Sequence, residues 1–227
     1  ENEEGIELNW IKGYQDLDKF DLIILPGSKQ TIKDITFLKQ TGLIKNIRDY
    51  SQRNGNILGI CGGLQMLGRY LEDPYLKEGT IDSNKEYAIG LDLLPIKTIF
   101  KNDKKTKQVC CKSKWPCKTI IKGFEIHNGV SNLLNNIDAK QVFPLYDRSS
   151  LGWYSEIENK MTIAGTYIHG VFENDTWRNS YLNMVRERKG LPKLDKISKN
   201  YKIKRDRIID NLAKQFKNHI NIETILN

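Results

Sequence analysis

Two short apolar runs, Asp21-Leu22-Ile23-Ile24-Leu25 and Asn56-Ile57-Leu58-Gly59-Ile60, each stop at a glycine turn, the first at Pro26-Gly27 and the second at Cys61-Gly62-Gly63. Apolar runs this short, without polar alternation, mark strands buried on both faces, as parallel strands are inside a sheet covered by helices. The intervening sequence agrees. Thr31 to Gln40 and Leu43 to Asn54 carry helical spacing, and Leu64, Met66, Leu67, Tyr70 and Leu71 resume it after the second run. Strand, helix, strand, sharp turn and helix predict an α/β fold, a doubly wound and mostly parallel sheet flanked by helices.

Ile6 to Ile11 alternates like a further strand ahead of this unit. From Ile96 onwards the runs become shorter and β-like: Lys97 to Lys101, Lys118 to Ile126, Gln141 to Leu145, Leu151 to Glu156 and Met161 to Ile168. These are expected to extend the sheet or to form an antiparallel lobe on it. Thr176 to Arg188 and Ile203 to His219 read as amphipathic helices, with Gly190-Leu191-Pro192 ending the first. No Pro/Gly/Ser-rich linker divides the chain, so residues 1–227 read as one domain.

Composition narrows the function classes. With 39% apolar residues the chain is not of the disordered type, and no stretch of about 18 apolar residues predicts a transmembrane helix. The formal charge is +8, but the lysines are scattered along the chain, and the densest cluster, Lys101 to Lys107, reads as a loop without interleaved aromatics. Neither a nucleic-acid partner nor a membrane is predicted. The four cysteines are too few and too clustered for a disulfide-stapled secreted domain, which points to the cytoplasm. Cys110, Cys111 and Cys117 lack a C-x-x-C pair or a histidine at ligand spacing, so no metal site is expected. The acidic Glu1-Asn2-Glu3-Glu4 start does not read as a targeting segment.

The chemistry concentrates at Gly59-Ile60-Cys61-Gly62-Gly63, a G-x-Cys-x-G elbow between an apolar strand and a helix. Such a turn projects its central side chain beyond the carboxyl end of the sheet. The helix N-terminus favours a thiolate there, and the next backbone N–H points where an oxyanion forms. A buried structural cysteine is the competing reading. A nucleophilic thiol also needs a base, and the chain has three histidines. His219 lies on a helix beside Lys217 and Asn218 and reads as solvated. His169 ends the apolar run Thr162 to Ile168, which would place it on the same sheet edge as the elbow. His127, in Gly123-Phe124-Glu125-Ile126-His127-Asn128-Gly129, reads equally as a substrate-facing residue or a capped strand end.

With Cys61 as nucleophile and His169 as base, the sequence resembles the class I, triad-type glutamine amidotransferases, which have a flavodoxin-like fold. Within them it is similar to the glutaminase domain of cobyric acid synthases. Five ordered segments carry the resemblance: Leu25 to Thr31, Gly59 to Gly68, Gly90 to Pro95, Gly123 to Gly129 and Gly165 to Phe172. Two related branches differ at readable places. The lipid II amidating glutaminase is expected to carry an F-E-N-H-G-type segment where this chain has Phe124-Glu125-Ile126-His127-Asn128. The cobyrinic acid a,c-diamide synthase has a Gly-rich segment in place of Pro26-Gly27-Ser28-Lys29.

The resemblance implies that Cys61 attacks the side-chain amide of glutamine, with His169 as acid and base. It implies an oxyanion site from the N–H of Gly62 and the Gly27-Ser28 turn, and glutamine recognition by Gln65, with Glu125 and His127 also on the substrate side. Many relatives carry a glutamate two positions after the histidine, where this chain has Val171, so Glu173 or a backbone carbonyl is left to orient His169. The family pairs this glutaminase with an ATP-dependent synthetase that amidates corrinoid carboxylates in cobalamin synthesis. ATP and magnesium are expected there and no cofactor in this domain, since no G-x-x-x-x-G-K-(S/T) loop occurs. The chain is accordingly expected to lack the synthetase and the first strand of the glutaminase. Two alternatives stay open: a glutaminase serving another amide ligase, such as lipid II amidation, and an inactive truncated binding module.

Overall fold

Strands β1 (Leu22–Leu25) and β2 (Asn56–Ile60) form from the two apolar runs and pair in parallel, Leu25 opposite Gly59. The computed structural model describes residue 3 and residues 5–78, 87–134, 142–157, 161–194 and 201–219. On the other side of β2 lies β9 (Met161–Thr166), also parallel, with Ile60 opposite Thr166. Antiparallel β8 (Gly152–Ile157) and β7 (Val142–Pro144) complete a five-stranded sheet in the order β1-β2-β9-β8-β7.

Alternate side chains of the parallel strands enter two different cores. Ile23, Leu25, Ile57 and Ile163 pack on one face with Ile32 and Ile35 of α1 (Thr31–Gln40) and with Leu43, Ile47 and Tyr50 of α2 (Leu43–Gln52). Leu58 and Ala164, with Leu22 and Ile24, pack on the other against Trp177, Tyr181 and Val185 of α4 (Asp175–Arg188). Covering both faces is why these strands carry apolar residues on both sides. The α/β class and its helix layers stand as expected, with parallel pairing concentrated in β1, β2 and β9.

The lobe is a second five-stranded sheet, ordered β10-β6-β5-β3-β4, antiparallel except where β3 runs parallel to β5. Its spine is a long hairpin of β5 (Ile96–Ser113) and β6 (Thr119–Leu133). Short strands β3 (Tyr70–Glu72), β4 (Ala88–Ile89) and β10 (Ile168–His169) border it. Here the structure corrects the sequence reading in three places. Lys101 to Lys107 is not a loop: it belongs to β5, where a register shift between Phe100 and Lys105 breaks the alternation that reveals a strand. Tyr70 and Leu71 do not continue a helix, because α3 (Gly62–Leu67) stops at Gly68, whose extended backbone lets Arg69 N–H bond the Ile96 carbonyl and start β3. Ile6 to Ile11 forms no strand, and Trp10 stands 72% exposed.

The run Lys118 to Ile126 extends as β6 to Leu133 and Met161 to Ile168 divides into β9 and β10, while α2 ends two residues early and α5 (Tyr201–His219) begins two residues before Ile203. His219 is exposed, as expected. Residues 1, 2 and 4 of the acidic N-terminus and Gln141 lie outside the described residues. Among the described residues no helix is long and apolar enough to cross a membrane.

Candidate active site

β2 and β9 are neighbours, so the segments that follow them leave the sheet at one edge. After β2 the chain turns at Cys61, whose φ of 52° and ψ of −106° lie in a region a side chain adopts only under constraint. Such a conformation costs about 1–3 kcal/mol. The Cys61 N–H bond to the Thr166 carbonyl, at 2.7 Å, helps hold it. After β9 the chain crosses at Tyr167 from the first sheet to the second, where β10 pairs with β6, Ile168 opposite Glu125 and His169 opposite Phe124. That crossing brings the imidazole to the thiol.

The Cys61 thiol donates to the carbonyl oxygen of Ile126 at 3.3 Å, and His169 Nε2 lies 3.3 Å from the same oxygen. Gly27 lies against both residues. A Cβ built on it would stand 3.4 Å from His169 Cε1 and 3.8 Å from Cys61 Cβ. Gly62 packs directly on Ser28, since a Cβ there would come within 2.6 Å of Ser28 Cβ and 2.8 Å of Ser28 N. Only glycine permits this approach, which puts the backbone of the residue after Cys61 beside the Gly27-Ser28 turn. Burial pushes the Cys61 thiol up to about 11, against a smaller downward pull from the Gly62 N–H; Glu78 adds to the rise and Lys104 opposes it. Burial thus favours the protonated thiol at neutral pH.

Gln65, one turn along α3, is buried. Its Oε1 accepts from Thr31 Oγ1 at 3.0 Å and its Nε2 donates to Tyr167 Oη at 3.3 Å. Tyr167 Oη lies 2.6 Å from Ser131 Oγ, and its ring stacks on His127 with centroids 3.8 Å apart. His127 lies 2.9 Å from Glu125 Oε1 through Nε2 and 2.6 Å from the Gly129 carbonyl through Nδ1. Burial holds its imidazole below the usual range, against the pull of Glu125 and Gly129. Burial raises the Glu125 carboxyl, but Lys105, His127 and Lys107 outweigh it and keep it below the ordinary carboxylate range.

Cys61, His169, Gly27, Ser28 and Gly62 thus lie together at the strand ends, while Gln65 is linked through Tyr167 to His127 and Glu125. Glu173 is turned to Arg205, whose Nη1 donates to its Oε2 at 2.8 Å, while His169 bonds a backbone carbonyl. Of the other cysteines, Cys110 is exposed, Cys111 buried and Cys117 half-buried. Sequence reasoning missed Ile126, which acts through its main chain and has no side-chain signal. It also missed Tyr167, which stood inside the quoted Gly165 to Phe172 segment, and Thr31, which stood inside Leu25 to Thr31.

Residues 1–177 match the model of the CobB/CobQ-like glutamine amidotransferase domain. The chain belongs to this family. The cobyric acid synthases of Prochlorococcus marinus strains MIT 9312 and MIT 9301 are 52% identical over 227 residues and 54% identical over 226. Each alignment covers 100% of this amidotransferase domain but 45% and 44% of the relative, so the chain spans less than half the length of the curated proteins it matches. A solved glutamine amidotransferase structure shares the fold with a TM-score of 0.56 at 13% identity, covering 82% of this chain and 88% of the other.

Proposed function

We propose that this domain hydrolyses glutamine and feeds the ammonia to ATP-dependent amidation of corrinoid carboxylates, as the glutaminase of a cobyric acid synthase. The observation that carries the reading is the convergence of the Cys61 thiol and the His169 imidazole on the Ile126 carbonyl, beside the close-packed backbone of Gly62 and Ser28. The likeness to cobyric acid synthases supports the choice of acceptor.

In this reading the Cys61 sulfur forms a bond to the amide carbon of glutamine while its proton passes to His169. A neutral imidazole accepts through the ring nitrogen that carries no proton, so Nε2 can take it only in the Nδ1–H tautomer, in which its bond to the Ile126 carbonyl is given up. The carbonyl electron pair moves to oxygen, held by N–H groups of Gly62 and the Gly27-Ser28 turn, each worth about 3 kcal/mol to the transition state. Collapse breaks the C–N bond as His169 gives its proton to the leaving ammonia, and a glutamyl thioester remains. His169 then takes a proton from water, hydroxide adds to the thioester carbon, the C–S bond breaks, and glutamate departs as the thiol regains its proton. Gln65, Glu125 and His127 line the end that receives the amino-acid head group. ATP and magnesium act in the synthetase portion, and no step here uses them.

Glutamate release from glutamine, lost in Cys61→Ala, tests the hydrolysis. Supplying the synthetase, ATP, magnesium and cobyrinic acid a,c-diamide tests the transfer, with amidated corrinoid as the expected product. Glutamate release without corrinoid amidation would assign the ammonia to another amide ligase, and no glutamate release at all would leave a binding module.

A further inference from the structure

The helix α5 carries an apolar stripe that the rest of the described chain leaves in solvent. Ile208, Ile209, Leu212 and Phe216 recur at helical spacing on one side of it and stand between 53% and 63% exposed. From Asp206 to His219 every side chain is exposed. A helix without packing is marginal in water, and most helices in proteins are held by the burial of an apolar face. Four large apolar side chains in a row therefore mark a face made to be covered, as an amphipathic helix is when it lies in a groove.

Two observations say what covers it. The amidotransferase family model stops at residue 177, ahead of α5, whereas the cobyric acid synthases match the chain throughout, α5 included. More than half the length of those relatives lies outside this chain. The helix is thus shared with proteins that carry a large further portion, and it lies beyond the part that the family model describes. Its place in the fold is the second observation. Arg205, three residues before Ile208 and on the same side of the helix, donates from Nη1 to Glu173 Oε2 at 2.8 Å. Glu173 follows His169 by four residues, so the stripe begins at the edge where Cys61 and His169 meet. A partner seated on the stripe stands beside the point where ammonia would be released. We propose that Ile208, Ile209, Leu212 and Phe216 form the docking surface for the synthetase portion, which holds them in an apolar groove and so receives ammonia before solvent does. This rests on the glutaminase reading and names the surface that joins its two halves.

The test uses the domain together with its synthetase portion. Labelling by N-ethylmaleimide, read by mass spectrometry of the α5 peptide, is expected to be at least tenfold slower in Leu212→Cys than in Lys214→Cys, which lies on the opposite side of the helix. Leu212→Glu combined with Phe216→Glu is expected to lower glutamine-driven amidation of cobyrinic acid a,c-diamide about tenfold or more, since two central apolar anchors are lost. Amidation driven by added ammonium chloride is expected to stay within threefold of the parent, because the synthetase itself is untouched. Lys214→Glu should change neither rate by more than threefold. Equal labelling at positions 212 and 214, or a double variant that keeps glutamine-driven amidation within threefold, would overturn the assignment. Slow labelling at position 212 that becomes fast on dilution to a single copy would give the stripe to a second copy instead. If the double variant folds poorly, the labelling comparison decides alone. Failure of the parent protein to release glutamate would remove the glutaminase reading, and the labelling contrast, which needs no turnover, separates that failure from failure of the docking.

Discussion

Ile60 and Thr166 face each other across the parallel pair of β2 and β9, and the two residues of the proposed chemistry follow them, Cys61 at once and His169 three positions on. Their convergence is a consequence of strand adjacency. Two chain segments remote in sequence meet because parallel strands end at one edge, and the crossing at Tyr167 carries the imidazole over that edge. The Ile126 carbonyl then serves as a common acceptor for both groups.

Substitution at this edge separates the roles. Cys61→Ala is expected to abolish glutamate release, and His169→Ala to lower it about 10²–10⁴-fold. Glu173→Gln is expected to keep most of the activity, because its carboxylate is turned to Arg205 and the His169 ring bonds a backbone carbonyl. Steady-state glutamate release measures all three. A Glu173→Gln loss as deep as that of His169→Ala would show that the carboxylate orients the ring.

The buried thiol gives a pH signature. With its ionisation raised to about 11 chiefly by burial, Cys61 in the free protein is protonated at neutral pH and gains thiolate as pH rises. Iodoacetamide labelling of Cys61, followed by mass spectrometry, is therefore expected to accelerate steadily from pH 7 to pH 10. A plateau below pH 8 would mean that a cation, or a His169 proton transfer already complete in the free protein, holds the thiolate.

The parts of the fold with a strong local period were legible in the sequence. β1, β2, α1 and α4 follow from apolar runs and helical spacing ended by glycine or proline, and the elbow at Cys61 follows from its glycines. The long hairpin was obscured because the lysines of β5 face water and its register shift interrupts alternation near Phe100. β3 was hidden because Tyr70 and Leu71 suit a helix as well as a strand, and what decides between them is the bond from Arg69 to Ile96, a contact between residues distant in sequence. In the site, Cys61 and His169 were legible because their residue types carry chemistry. Ile126 was not, since it meets both groups through its backbone.

Gly62 offers a test of the oxyanion arrangement. A methyl group there would fall 2.6 Å from Ser28 Cβ, so Gly62→Ala must push the Gly27-Ser28 turn away from Cys61. Losing one backbone donor costs about 10²–10³ in kcat. That drop is expected in stopped-time hydrolysis assays, with a smaller change in KM, because the oxyanion forms only in the transition state. A kcat within threefold of the parent would exclude the Gly62 and Ser28 backbone as the oxyanion donors.

Tyr167 couples stability to substrate geometry. Its hydroxyl lies within bonding distance of Ser131 and accepts from Gln65, which Thr31 also holds. Tyr167→Phe keeps the ring stacked on His127 but removes the hydroxyl, leaving the Gln65 amide nitrogen without its partner in a buried setting. An unsatisfied buried donor costs about 1–3 kcal/mol. The urea midpoint is therefore expected to fall by a corresponding amount, with the denaturant slope unchanged. If Gln65 recognises the substrate head group, the same variant should also raise KM for glutamine, because Gln65 loses one of its two tethers. The variant Ser131→Ala leaves the bond between Tyr167 and Gln65 in place, so it should destabilise the protein without a matching rise in KM. Parallel rises in KM for both variants would show that general loosening of the second sheet, rather than the orientation of Gln65, governs glutamine affinity.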